Sequence, residues 1–313
     1  ATVNNGGIVT GVSPGTATIS YTVGSIATTA VVTVNPLPNA GTLSGTTSVC
    51  VAATTTLSST ASGGTWSSSN IAVGTVSTSG VVTGLAAGTT SIVYTATNGC
   101  GTATVNAVVT VNALANPGTI SGTLVACAGS NASLVASQPG GVWSSGTVAV
   151  GTVSSGGTVD GLSAGTSVIS YGVTNSCGTQ YAVAIFTVNP LPAPITGGTD
   201  VCVGATLPLA SATAGGTWTS GNTSIATINI SGVVTGVAPG VVLISYTNAG
   251  CTTSTTITVN LVPFAGTLSG ASTVCTGATI TMSSTAAGGS WSSGTPAVAT
   301  VDAVSGVVTG VST

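Results

Sequence analysis

The 313-residue chain contains no lysine, no arginine and no histidine, and its only acidic residues are Asp160, Asp200 and Asp302. General acid–base catalysis draws on groups that titrate near the working pH, chiefly His, Glu, Asp and Lys. Three isolated carboxylates without a cationic partner do not provide that chemistry, so the chain is read as a non-enzyme with no catalytic residue. Nucleic-acid binding needs Lys and Arg to displace phosphate counterions, and attachment to anionic membrane surfaces needs them too. Both partner classes are excluded. No apolar run reaches the 18 or so residues that span a bilayer as a helix, so the chain is not read as transmembrane. The longest runs, such as Tyr181–Phe186, have the length of a strand.

What remains is Ser, Thr, Gly and Asn on one side and Val and Ala on the other. Short β-branched runs between Gly, Asn and Pro read as many short strands. Disordered chains are usually charged and poor in Val and Ile, which this one is not.

The chain repeats itself, and a long internal repeat sets the fold. Trp66, Trp143, Trp218 and Trp291 recur at a nearly constant interval, and each follows a cysteine (Cys50, Cys127, Cys202, Cys275) at one fixed offset. Cys100, Cys177 and Cys251 follow the first three of those cysteines, again at an almost unchanging distance. The turn SGVVTG occurs at Ser79–Gly84, Ser231–Gly236 and Ser305–Gly310, with variants at Gly6–Gly11 and Gly156–Gly161. Proline-bearing linkers (Asn35–Pro38, Asn112–Pro117, Asn189–Pro192, Asn260–Pro263) mark the boundaries and stiffen them. They divide the chain into a late part-module at 1–35, whole modules at 36–112, 113–189 and 190–260, and an early part-module at 261–313.

The chain starts and stops within a module and has no initiator Met or signal-like segment. It is read as a window on a longer repetitive chain. The alternative is a subunit whose half-modules complete each other head to tail by strand donation. The ATV…VTGV segment present in both ends argues against simple complementation, because one copy would be surplus.

In the first whole module strands are expected near Thr42–Val51, Thr55–Ser59, Gly64–Ser67, Thr75–Val76, Gly80–Thr83, Thr89–Thr97 and Thr102–Val111. Alternation in Ser91–Thr97 and Ala107–Val111 suits half-buried strands, and seven short strands suggest a small sandwich.

The run NIAVGTVSTSGVVTGLAAGTTSIVYTAT at Asn70–Thr97, closing with AVVTVN at Ala107–Asn112, resembles a bacterial immunoglobulin-like group 2 domain. The match recurs in every module. With the PLP-type linkers it looks like the tandem versions in very large surface proteins of Bacteroidota. The resemblance implies an all-β tandem array of small immunoglobulin-like sandwiches of about 75 residues, forming a rod displayed outside a bacterial cell. It implies stalk and spacer roles and names no ligand or cofactor.

The cysteines are not part of that family pattern. Cysteines so widely spaced, without histidine, do not suit a metal site or a redox CxxC pair. An early and a late cysteine per module are read as intramodular staples: Cys50–Cys100, Cys127–Cys177 and Cys202–Cys251. Cys275 is left for a partner outside the sequence. Each such loop closure stabilises by about 4 kcal/mol in the chain-entropy model, and disulfides imply an oxidising compartment. The order Cys…Trp…Cys echoes the immunoglobulin sandwich, whereas Tyr94 and Tyr171 stand too far before the second cysteine to fit a tyrosine corner.

Trp66, Trp143, Trp218 and Trp291 are read first as core residues, with stacking platforms for polysaccharide as the alternative. The glycine-rich turns lead into strands and carry no lysine, so they are not phosphate cradles. The aspartates fall at three different places in the repeat and are read as incidental rather than as calcium ligands. A nearly uncharged Ser/Thr surface without edge lysines favours association. The functional expectation is a structural stalk or fibre in a bacterial surface filament or adhesin. Its partners would be other copies or neighbouring modules of one long chain. A carbohydrate-binding array, and a spacer of a secreted multidomain enzyme, are the alternatives.

Overall fold

The computed structural model describes all 313 residues, and every regular element in it is a strand. No helix is long and apolar enough to cross a membrane. The chain divides into two compact units, Ala1–Val188 and Asn189–Thr313.

The first unit holds two complete sandwiches, each of two four-stranded sheets. In the sandwich built from 36–112, one sheet runs in the order Leu43–Gly45, Thr54–Ser59, Val81–Gly84, Gly74–Val76. The other runs Ser48–Cys50, Gly101–Asn112, Gly88–Asn98, Thr65–Ser68. Its backbone is the long hairpin Gly88–Asn98/Gly101–Asn112, paired from Gly88↔Val111 to Asn98↔Gly101. Alternate residues of both sheets meet between them: Val49, Leu57, Val82, Ile92, Val109 and Val111 form a dry core. The second sandwich repeats this with Leu134, Val159, Ile169, Phe186 and Val188. β-branched residues at every second position account for both features, since they suit the pleat and place one face inward.

The first expected strand, Thr42–Val51, is two strands in different sheets, Leu43–Gly45 and Ser48–Cys50. Gly45 makes the crossing possible. Its φ is +125°, and a Cβ there would run into the Thr56 carbonyl oxygen, so only glycine fits. After the crossing, Ser48–Cys50 pairs in parallel with the last residues of the long hairpin, with Cys50 opposite Asn112. A sheet-switching strand of this kind is common where two packed sheets share a corner.

The second unit contains a third sandwich with a core of Leu209, Val234, Ile244, Ile257 and Val259. The segments outside the three sandwiches are halves of the same pattern. Residues 1–35 give a short pair, Thr2–Val3/Val9–Thr10, and a lone long hairpin, Gly15–Val23/Ile26–Val34. Residues 261–313 give the opposing strands: Thr279–Thr281, Val307–Gly310 and Ala299–Val301, plus the pair Leu268–Ser269/Ser283–Ser284.

Candidate functional site: the joint between modules

The cysteines do not pair within modules. Cys50 is bonded to Cys177, 127 residues away, with the Cα atoms 5.7 Å apart. Cys127 and Cys251 are also disulfide-bonded, while Cys100, Cys202 and Cys275 are free thiols. The expected staples Cys50–Cys100, Cys127–Cys177 and Cys202–Cys251 are therefore corrected.

The reason is the length and direction of one strand. Cys50 lies opposite Asn112, at the end of Gly101–Asn112, while Cys100 sits in the turn before that strand begins. A strand of this length separates the two ends of the sandwich by roughly 35 Å, far beyond the roughly 7 Å that a disulfide can bridge. The equivalent strand Gly178–Asn189 separates Cys127 from Cys177, and Cys251–Asn260 separates Cys202 from Cys251. Early cysteines stand at the downstream end of each sandwich and late cysteines at the upstream end.

The upstream end is built around the hairpin tip. Asn175 donates from Nδ2 to the Ala113 carbonyl (3.0 Å) and accepts the Cys177 backbone N–H at Oδ1 (2.8 Å). Cys177 Sγ lies 3.7 Å from the Asn112 carbonyl oxygen. The tip thus grips the linker leading into its own module, and the disulfide ties it to the strand end of the module before. Asn112 closes the joint from the other side, donating to Ser48 Oγ at 2.7 Å.

The first module carries the same tip in the same place. Asn98 Nδ2 donates to the Pro36 carbonyl (2.9 Å), its Oδ1 accepts the Cys100 N–H (2.8 Å), and Cys100 Sγ lies 3.7 Å from the Asn35 carbonyl. In the third sandwich Cys251 is fully buried, with its Sγ 3.9 Å from the Asn189 carbonyl, and Asn189 donates to the Ala249 carbonyl. An Asn two positions before a turn cysteine was the signal for this joint in the first two hairpins.

The tryptophans lie on the short edge strand of the hairpin sheet. Trp66, Trp143 and Trp218 pack against the three cores. Each ring lies 4.7 to 4.8 Å from a tyrosine ring (Tyr94, Tyr171, Tyr246). The Gly80 backbone lies on the Trp66 ring as well, with 3.2 Å from the ring to where a Cβ would be. These surroundings suit a packing role. The tyrosine does hold backbone, though not as a tyrosine corner: Tyr94 Oη accepts the Gly64 N–H (2.7 Å) and donates to the Ala61 carbonyl (3.0 Å). Tyr171 and Tyr246 repeat both bonds.

The hydroxyl-rich surface is cross-bonded. Thr97–Thr102, Thr174–Thr179 and Thr247–Thr252 bridge the hairpins at 3.2, 2.7 and 2.8 Å. No buried side-chain nitrogen or oxygen lacks a partner.

Asp302 is not incidental. It stands where Ser77 caps the equivalent turn, and accepts the N–H groups of Ser305 (2.7 Å) and Val304 (3.1 Å) and the Ser305 hydroxyl (2.7 Å). The Ser305 N–H foremost, then its hydroxyl and the Val304 N–H, hold the Asp302 carboxyl below its ordinary value. A depressed folded pKa contributes stability that is present above the unfolded value, near 3.9 for Asp, and lost as the pH falls through the folded one. Melting temperature should therefore be flat from about pH 5 to about pH 8 and decline only in acid. Asp302→Ser should remove the acid-side loss in that segment and lower neutral-pH melting slightly, because the bonds to the ionised carboxylate are replaced by weaker neutral ones. A slope across neutral pH in calorimetry would contradict this account.

No protein-family model matches the sequence, and no curated protein does. Solved structures match it at low identity. Domains 1–6 of the surface layer protein SbsC are 16% identical, over 91% of this chain and 50% of that one, with a TM-score of 0.23. The chain spans about half the length of that structure. Invasin, a bacterial integrin-binding protein, is 15% identical over 86% of this chain and 70% of its own, with a TM-score of 0.39. Titin fragment I67–I69 is 11% identical over 73% of this chain and all of its own, with a TM-score of 0.30. These scores are low, and the immunoglobulin-like sandwich assignment stands on the strand order and register given above.

Proposed function

We propose that the chain is a structural stalk in an extracellular bacterial surface fibre or adhesin, working by holding successive modules in fixed alignment. The observation that carries this reading is the Cys50–Cys177 bond, which crosses the linker between two sandwiches. A staple inside a module would stabilise that module. A staple across the joint removes the hinge freedom expected between domains joined by a short linker, which matters to a protein that transmits force or sets a distance. Its oxidised cysteines suit an oxidising compartment. The near absence of charge makes the stalk indifferent to ionic strength, because almost nothing on it can be screened. The sequence pattern supports a surface protein of the tandem immunoglobulin-like kind.

Negative-stain electron microscopy tests the reading. Oxidised protein is expected to hold the two sandwiches joined by Cys50–Cys177 at one constant angle, and reduced protein to bend between them. Equal bending in both states would refute the joint-locking role. Saturable glycan binding with quenching of tryptophan emission would instead support a polysaccharide-binding array.

A further inference from the structure

The outer face of the hairpin sheet in the second sandwich differs from those of its neighbours. Ile169, Tyr171, Phe186 and Val188 are buried on the core side. The residues that alternate with them therefore face out: Val168 on Gly165–Asn175, and Tyr181, Val183 and Ile185 on Gly178–Asn189. Register lines them up, since Gly172↔Tyr181, Ser170↔Val183 and Val168↔Ile185 are opposite pairs. The edge strands extend the row, with Val142 opposite Gly172 on one side and Val125 on the other. Val142, Tyr181, Val183 and Ile185 are 63% to 74% exposed, and Val125 and Val168 are about half exposed.

Neither of the other complete sandwiches carries this face. The same six positions hold Ser48, Thr65, Ser91, Thr104, Asn106 and Val108 in the first sandwich. In the third they hold Asp200, Thr217, Leu243, Thr252, Ser254 and Thr256. Isolated apolar residues such as Val108 and Leu243 are ordinary on a surface, whereas a patch continuous across four strands marks an interaction site. A coupled change shapes its centre. Where Thr95 and Thr247 stand opposite Thr104 and Thr252, the second sandwich has Gly172 opposite Tyr181. A Cβ at Gly172 would come within 2.7 Å of the Tyr181 ring. The ring thus takes the space of a side chain at 172 and covers Gly172, which is buried although it faces outward.

We infer that this face is a contact surface for the same face of a second copy of the chain, so that two chains pair side by side at residues 113–189. Size and chemistry both fit. Nine residues of each long strand by four strands give a face of roughly 30 by 15 Å at the usual rise and spacing. Side chains standing out of the sheet raise the accessible area above that footprint, to about 600 Å² per partner, the lower range of specific interfaces. The patch and the threonines that rim it (Thr166, Thr174, Thr179, Thr187) carry no charge, so stacking on a copy desolvates no ion. A charged partner would find no complement here, and the aliphatic side chains around the Tyr181 ring offer a sugar no hydrogen bond.

Two sheets meeting face to face are what each sandwich already uses, about 10 Å apart and within about 30° of alignment. A contact made by one patch on both partners closes on itself. Because one sandwich of the three carries the patch, it yields a discrete pair and not an open lateral sheet of chains. With no charge at the contact, moderate sodium chloride leaves the pairing unchanged, while sulfate strengthens it by favouring burial of apolar surface.

Analytical ultracentrifugation of the 313-residue protein tests this, with the free thiols Cys100, Cys202 and Cys275 alkylated so that no new disulfide mimics association. A reversible monomer–dimer equilibrium is expected, with Tyr181 protected from hydroxyl-radical oxidation in the dimer. Gly172→Thr, Tyr181→Thr and Val183→Asn together copy Thr95, Thr104 and Asn106, with which the first sandwich already folds. That variant should weaken the dimer at least about tenfold, as loss of a buried aromatic anchor does. Val142→Thr alone, matching Thr65 and Thr217, should weaken it about threefold through lost apolar burial. Val108→Thr and Leu243→Thr should leave it unchanged. Monomers at every concentration, or a dimer that the triple variant leaves intact, would overturn the inference. Dissociation on adding sodium chloride would overturn it too, since this face holds no charge to screen. None of these results bears on the Cys50–Cys177 joint, which the micrographs read separately.

Discussion

Reduction is expected to lengthen the fully stretched chain by roughly 40 nm or more, at roughly 3.3–3.6 Å per extended residue. A pull on the two ends passes through the Cys50–Cys177 bond and bypasses much of the 127-residue separation between them. Those residues include most of two sandwiches, so unfolding either one releases little length while the bond is intact. Single-molecule extension, with and without a reductant, measures this directly. Cys100→Ser should leave the oxidised contour length unchanged, because the Cys100 thiol is free. A longer oxidised contour in that variant would restore an intramodular staple and sink the joint. The chain-entropy model credits closure of a loop this long with about 5 kcal/mol. The mechanical consequence is the larger one, since an intermodular bond limits how far the array can extend before covalent bonds carry the load.

Tyr171→Ala should cost the second sandwich about 3–5 kcal/mol, the range for truncating a large buried ring. Tyr171 is buried and stacks on Trp143, and its hydroxyl ties the Gly141 N–H (2.7 Å) to the Gln138 carbonyl (2.8 Å). A module with a total stability of about 5–15 kcal/mol would lose a large fraction of it. Tyr171→Phe separates the two contributions. It keeps the ring and strands two backbone groups, for an expected loss of about 1–3 kcal/mol. Urea titrations followed by Trp143 emission provide the measurement, with the other tryptophans replaced by phenylalanine. If Tyr171→Phe loses less than about 0.5 kcal/mol, the low end for a single hydrogen bond, water replaces the hydroxyl without cost. The tyrosine clamp would then reduce to simple packing.

The two predictions concern features with different visibility in the sequence. The repeat, the strands and the two-sheet sandwich follow from local pattern. Ile92 and Tyr94 alternate with outward residues, and proline and glycine punctuate each strand. Such signals depend on the nearest few residues, so they survive without knowledge of the fold. The split of Thr42–Val51 was less legible, because Gly45 permits a crossing but does not announce that the chain uses it.

The partner of each cysteine was decided by tertiary structure alone. The regular spacing of early and late cysteines invites pairing within a module, but sequence distance carries no direction. The parallel pairing of Ser48–Cys50 with the end of Gly101–Asn112 places Cys50 at one end of the sandwich, and the hairpin tip places Cys100 at the other. The tyrosine clamp was hidden for a related reason, since it joins residues 30 to 33 positions apart across a sheet edge. By itself the sequence determined that this is a repetitive all-β chain with no Lys, Arg or His and only three Asp. The structure determined that its covalent cross-link spans the joint between modules, because strand length and direction decide which ends meet.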